Sequence, residues 1–237
     1  MTLYLIPTPI SEAAFDTLPP ATAEVARRLE VFVVERARTA RHFIKRVAPL
    51  RPLSELTFVE LDREGGLTPE VVEVFEQALR QERDVGLLSE AGCPGVADPG
   101  AALVALAHRM GVLVVPLVGP SSVLLALMAS GLNGQRFAFH GYLSPKRPEL
   151  VRQLRQLEQQ ARQHDQTQIF METPYRAPWI FEVALMALRA DTLLSVSQDL
   201  TGPEAFVRTQ PVRAWREQKL TLAARPTVFL MGKSSAG

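Results

Sequence analysis

The sequence predicts an α/β protein of two domains, the first built on a mostly parallel sheet and the second on a mixed sheet. Three observations predict it. Short β-branched or aromatic runs alternate with helical patterns through the first half of the chain. Two of those runs, Val31-Phe32-Val33-Val34 and Val112-Leu113-Val114-Val115, are continuously apolar, as parallel strands buried on both faces should be. Beyond Leu132-Asn133-Gly134 the texture changes: consecutive strand-like runs near 193–209 suggest hairpin pairing, hence a mixed sheet.

In order, residues 3–6, 30–35, 57–61, 85–89 and 112–115 read as strands, and 22–28, 36–47, 69–80 and 100–110 as the helices between them. In the second half 137–140, 168–172, 193–197, 205–209 and 228–231 read as strands, with long helices over 147–163 and 176–189. The boundary falls at 117–119, so the expected domains are 1–117 and 118–237. The charge-free stretch 110–132 is interrupted by Pro116 and by Gly119-Pro120-Ser121-Ser122. It therefore reads as a strand, a turn and a helix over 121–130 rather than a membrane span. The tail 233–237 is expected to fray.

With 237 residues, 47% apolar and 22% charged, the chain is neither disordered nor collagen-like. A single cysteine, Cys93, excludes a disulfide framework and a cysteine-based zinc site. His42, His108, His140 and His164 have no metal-ligand spacing, so no metal is expected, and His140 reads as a structural histidine at a strand end. The start of the chain lacks the basic region and apolar core of a signal peptide, and with the cysteine usage this predicts a cytoplasmic protein with no membrane partner. Net charge is +1, but Arg36, Arg38, Arg41, Lys45, Arg46 and Arg51 form a basic run without an acid, and Lys146, Arg147, Arg152 and Arg155 form a second. Such runs neutralise phosphates or are simply solvated helix faces. Phe15, Phe32, Phe43, Phe58 and Phe75 read as core, and the isolated Trp179 and Trp215 form no stacking platform.

The most informative stretch is Ser89-Glu-Ala-Gly-Cys-Pro-Gly-Val-Ala-Asp-Pro-Gly100, between a buried strand and a helix. Ligands of open parallel sheets bind beyond the carboxyl ends of strands. Small residues let a ligand touch the backbone of such a loop, and glycine and proline make it bent yet stiff. The pattern is neither a dinucleotide fingerprint nor a phosphate loop. Asp98 before Pro99 reads as a helix N-cap, and Cys93, with no identifiable base, as a small filler. Val118-Gly-Pro-Ser-Ser122 has a similar character: Ser121 and Ser122 could hold an anion, although capping accounts for one of them.

Taken together, 3–10, Glu35 to Arg41, 89–100, 118–122, 137–143 and Glu172-Thr-Pro-Tyr-Arg176 resemble the tetrapyrrole methylases, a class of S-adenosylmethionine-dependent methyltransferases. Within that class the chain is similar to a short, divergent relative of the branch that methylates a cytidine ribose 2'-hydroxyl in small-subunit ribosomal RNA. The resemblance implies two α/β domains with S-adenosylmethionine in a cleft between them. It implies cofactor contacts from Pro7, Ala91, Gly92, Val96, Ser121, Ser122, Glu172, Thr173, Pro226 and Thr227. It also implies an RNA substrate met by Arg38 and Arg41, which lie three apart on a predicted helix, and a homodimer. A small metabolite such as a tetrapyrrole is the alternative methyl acceptor, and a catalytically silent cofactor-binding protein the alternative role. Glu35, Glu90 and Glu172 each follow a predicted strand and could act as general base, but loop-end pairing with Arg36, Arg38 or Arg176 accounts for each, so the catalytic base stays unassigned.

Overall fold

The computed structural model describes residues 1–62 and 64–233. The expectation of a frayed tail, as it concerns 234–237, lies outside the described residues. The chain divides into two compact units, one ending at Ser121 and the other beginning at Ser122.

The first unit alternates β1 (Thr2–Ile6), α1 (Pro20–Arg28), β2 (Val31–Val34), α2 (Ala37–Arg46), β3 (Thr57–Glu60), α3 (Pro69–Arg80), β4 (Val85–Leu88), α4 (Ala101–Arg109) and β5 (Leu113–Pro116). All five strands are parallel, in the order β3-β2-β4-β1-β5. Strand periodicity distributes the core to both faces. Leu3, Val31, Val33, Val85 and Leu87 pack on one side with Val71 and Phe75 of α3 and Leu103 of α4. Ile6, Phe32, Val34 and Leu88 pack on the other with Ala26 of α1 and Phe43 and Ile44 of α2. Helix α3 starts where its local chemistry directs: Thr68 Oγ1 accepts from Val71 N at 3.2 Å, and Pro69 occupies the first turn, where its missing N–H costs nothing.

The second unit runs α5 (Ser122–Ser130), β6 (Phe137–Tyr142), α6 (Arg147–His164), β7 (Thr167–Glu172), α7 (Ala177–Ala187), β8 (Leu193–Gln198), β9 (Phe206–Pro211), α8 (Val212–Gln218) and β10 (Thr227–Gly232). Its sheet has the order β6-β7-β10-β8-β9, with β6 and β7 parallel and the other pairs antiparallel, so it is mixed as the sequence predicts. Phe170, Phe229, Leu194 and Val196 face α6, α7 and α8, while Ile169, Val228 and Leu230 face α5. Among the described residues no helix is long and apolar enough to cross a membrane.

Two sequence expectations need correction. Strand β5 is not buried on both faces: among the described residues it is a sheet edge paired with β1 alone, and Leu113 is 63% exposed. Its apolar run resembles that of β2, but periodicity does not distinguish a central strand from an edge. Pro116 at its end, lacking an N–H, is compatible only with such an edge or a strand terminus. Helix α8 was not expected. It is short, but Pro211 precedes it and Val212 and Trp215, three apart, are fully buried. Trp215 meets Phe181 edge-on at 5.3 Å and donates Nε1–H to Leu194 O at 2.9 Å, tying α8 to α7 and β8. Trp215→Ala is therefore expected to destabilise the second unit by about 3–5 kcal/mol, read as a shift in its chemical-denaturation transition.

Candidate functional site

In a parallel sheet the loops after successive strands emerge at its carboxyl end, and here those after β1, β4 and β5 are knitted together. Thr8 and Gly92 exchange two backbone hydrogen bonds, Thr8 N to Gly92 O at 2.9 Å and Gly92 N to Thr8 O at 3.0 Å. Ser89 Oγ donates to Gly92 O at 2.7 Å, and Thr8 Oγ1 to Ser89 O at 3.3 Å. Cys93 Sγ donates to Pro120 O at 3.4 Å, which carries the tie to the third loop. A Cβ at Gly119 would overlap the Pro7 side chain, so the first and third loops approach as closely as glycine permits.

Within the loop 89–100, Gly92 holds φ +85° and Gly100 φ +130°, and a Cβ at Gly100 would lie 2.7 Å from Leu87 Cδ2. Both positions require glycine on conformational grounds. Ala91 and Val96 are exposed on the loop, Val96 at 49%.

Asp98 does not cap the following helix. The N-cap of α4 is Gly100, and no side chain caps it. The left-handed turn at Gly100 displaces Asp98 from the cap position and leaves its Oδ2 buried, with no hydrogen-bond partner among the described residues. Burial, with Glu35 and Glu90 adding like charge, pushes the Asp98 carboxyl up to about 6. Burial and Glu90 likewise raise Glu35, with Arg36 opposing. Burial and Asp98 raise the Cys93 thiol, which fits a filler rather than a thiolate nucleophile. Three carboxylates, from the ends of β2 and β4 and the entry to α4, thus share one negative field. Among the described residues no group of three or more His, Cys, Asp and Glu is arranged to hold a metal ion.

Of the other candidate residues, Pro7 lies in the knitted region, Ser121 ends the first unit and Ser122 opens α5. Glu172, at the end of β7, is buried. Its Oε1 accepts from Thr173 N at 2.8 Å and from Thr173 Oγ1 at 3.2 Å, and its Oε2 lies 3.3 Å from Arg176 Nη2. That is the loop-end pairing the sequence suggests. Thr227 stands opposite both Glu172 and Gln198, accepts from Gln198 Nε2 at 2.9 Å and donates to Arg225 O at 2.8 Å, while Pro226 is exposed. Arg38 and Arg41 are exposed on α2, and the Arg41 guanidinium lies 5.1 Å from the Phe58 ring centroid. His140 is satisfied by Gln168 Oε1 at 2.7 Å from Nε2. The residue that sequence reasoning missed is Asp98 as a site carboxylate: its local signature is that of a cap, and only the fold brings it to Glu35 and Glu90.

Because the folded-state Asp98 is raised above the ordinary value of 3.8 to about 6, folding favours its protonated form. The contribution is fully present below about pH 4 and is lost as pH rises through 6. Asp98→Asn is expected to stabilise the protein at pH 7.5 by about 1 kcal/mol after solvent screening, and to match wild type near pH 4, in paired denaturation curves.

A family model described as Tetrapyrrole (Corrin/Porphyrin) Methylases matches residues 2–214. A protein of Synechocystis sp. called ribosomal RNA small subunit methyltransferase I is 29% identical over 199 residues, covering 84% of this chain and 67% of its own length. A protein of the same name from Mesorhizobium japonicum is 32% identical over 212 residues, covering 90% and 68%. Among solved structures, the methyltransferase CobJ aligns with a TM-score of 0.63 at 18% identity over 98% of this chain and 94% of that one. A uroporphyrin-III C-methyltransferase from Thermus thermophilus, complexed with S-adenyl homocysteine, aligns with a TM-score of 0.55 at 19% identity over 98% and 97%. These two likenesses show the shared fold.

Proposed function

The chain belongs to the tetrapyrrole (corrin/porphyrin) methylases, and on that premise we propose that it transfers a methyl group from S-adenosylmethionine to a ribose hydroxyl of small-subunit ribosomal RNA. The observation that carries the reading is the similarity, over 84% and 90% of this chain, to two relatives named for methylation of that RNA.

The first unit fits the cofactor. S-adenosylmethionine is a cation at its sulfur and supplies, when bound, a methyl group on a neutral leaving thioether. Ala91, Gly92 and Val96 offer backbone and small side chains, and Pro7 stands beside them. The half-buried Asp98 carboxyl, whose Oδ2 is buried, sets with Glu35 and Glu90 a negative field that favours a positive sulfur over a neutral one. The fixed loop then does what such a displacement most needs: it holds one reactant in one orientation, a contribution that can reach ~7–11 kcal/mol when both partners are aligned. The exposure of Arg38 and Arg41 on α2, beside the neighbouring basic run, supports a role for them in meeting phosphates.

Cytoplasmic location and a homodimer complete the reading. Edge strand β5, with Leu113 63% exposed, leaves an open strand edge of the kind a second copy would cover. A mass of twice the chain by light scattering is the expected result, and a monomer at micromolar concentration would contradict it.

The affinity for S-adenosylmethionine is expected to rise about tenfold from pH 5 to pH 7.5, as Asp98 ionises through about 6. S-adenosylhomocysteine, whose sulfur is uncharged, should respond less, and Asp98→Asn should flatten the profile, by calorimetry. Labelled methyl should enter small-subunit ribosomal RNA from a strain lacking this protein. Tight cofactor binding with no label in RNA would overturn the proposed acceptor.

A further inference from the structure

The second unit carries a basic run that the reading above leaves unused, and it begins with Lys146 and Arg147 where β6 gives way to α6. Strands β6 and β7 are parallel neighbours, so the segments leaving them emerge at the same end of the mixed sheet. One side chain ties those segments together. Arg176, at the N-cap of α7, donates from Nη2 to Leu143 O at 3.4 Å and to Ser144 O at 3.3 Å, and the same nitrogen lies 3.3 Å from Glu172 Oε2. Its guanidinium carbon is 5.8 Å from the Trp179 ring centroid. An arginine held on three oxygens beside a ring braces the two segments and is not free to meet a ligand.

The braced turn presents Tyr175, which is 91% exposed and has no hydrogen-bond or ring partner among the described residues. A lone exposed aromatic is ordinary. This one stands on a stiff turn: Pro174 fixes a backbone angle, and Arg176 N and Ala177 N both donate to Thr173 O, at 3.1 and 3.0 Å. A ring fixed in advance loses little conformational freedom on contact. On the adjoining segment Lys146 and Arg147 are exposed, and residues 142–148 include no acid. The flanking acids are engaged: Glu149 Oε2 accepts from Ser144 Oγ at 2.8 Å, and Glu172 is buried against Thr173 and Arg176. Arg147 Nη2 meets only Met186 Sδ, at 3.6 Å, a weak acceptor that leaves its charge uncompensated. Uncompensated cations take phosphates, and an exposed ring takes the face of a base, which is open to a side chain only outside a duplex. We propose that the carboxyl ends of β6 and β7 form a contact for single-stranded RNA, with Tyr175 stacking on one base and Lys146 and Arg147 neutralising adjoining phosphates. The inference rests on the RNA reading above and adds to it a docking surface on the second unit and the unpaired state of the RNA bound there.

The test uses the full chain saturated with S-adenosylhomocysteine and an unstructured RNA of about 12 nucleotides, alone or annealed into a duplex, followed by fluorescence anisotropy across a salt series. Tyr175→Ala is expected to weaken single-strand binding about tenfold, the loss of one stacked base, and to leave duplex binding unchanged. Tyr175→Phe, which keeps the ring, should bind like wild type. Lys146→Gln combined with Arg147→Gln should lower the single-strand salt slope by about 1.4, two phosphates at about 0.7 each. Cofactor affinity by calorimetry should be the same in all three variants. Single-strand binding by Tyr175→Ala within about twofold of wild type, an equal loss in Tyr175→Phe, an equal loss on the duplex, an unchanged salt slope, or a parallel loss of cofactor binding would each overturn the proposal. The two readings fail separately. RNA bound and methylated by Tyr175→Ala as by wild type removes this surface alone, whereas Tyr175-dependent binding without methyl transfer to RNA removes the RNA acceptor and leaves the surface. Wild-type protein that binds no RNA removes both.

Discussion

The reciprocal pair of backbone hydrogen bonds between Thr8 and Gly92 is the constraint on which the site depends. It joins the segment leaving β1 to the loop leaving the central strand β4, and it holds only because residue 92 can adopt φ +85°. From that tie the rest follows. Ser89 anchors to the carbonyl of Gly92, Cys93 reaches Pro120, and Gly119 settles against Pro7. The result is a loop rich in glycine and proline that is nonetheless tied, by hydrogen bonds to Thr8 and Pro120 and by bonds within itself from Gly95 N to Pro99 O and Val96 N to Cys93 O.

The same geometry explains the acidic field. A loop that leaves β4, turns back to meet Thr8, and enters α4 through Gly100 leaves Asp98 two residues short of the cap position with its Oδ2 buried. Keeping a carboxyl half-buried near Glu35 and Glu90 costs stability above its titration point. Functional sites characteristically hold such perturbed groups, and the compensation comes from the surrounding core, here the two apolar layers flanking the first sheet. Charge and shape thus act on the same few residues: small side chains open the backbone to a ligand, and the buried carboxyl prefers a positive one.

Much of this architecture could be read from the chain itself. Alternating runs predicted the parallel first sheet, the closely spaced late strands predicted a mixed second one, and the helix expected over 69–80 is α3. The loop 89–100 stood out because its composition is incompatible with either regular element. What could not be read was convergence. Glu35 is remote in sequence from the loop that carries Glu90 and Asp98, and Asp98-Pro99 carries the local signature of a cap that Gly100 in fact occupies. The edge position of β5 was equally hidden, since strand order is set by crossovers and not by the apolar run within a strand. Helix α8 escaped because seven residues hold too few turns for periodicity to register, although Val212 and Trp215 are its two buried anchors.

The most direct measurement of the central claim, that the loop pinned by Thr8 is the seat of a sulfonium nucleoside, is backbone amide NMR of the isotopically labelled protein during titration with S-adenosylmethionine. The account predicts that the largest shift changes fall on Thr8, Ala91, Gly92 and Val96, with saturation at a single site. Saturable binding that leaves those four amides unmoved would contradict it.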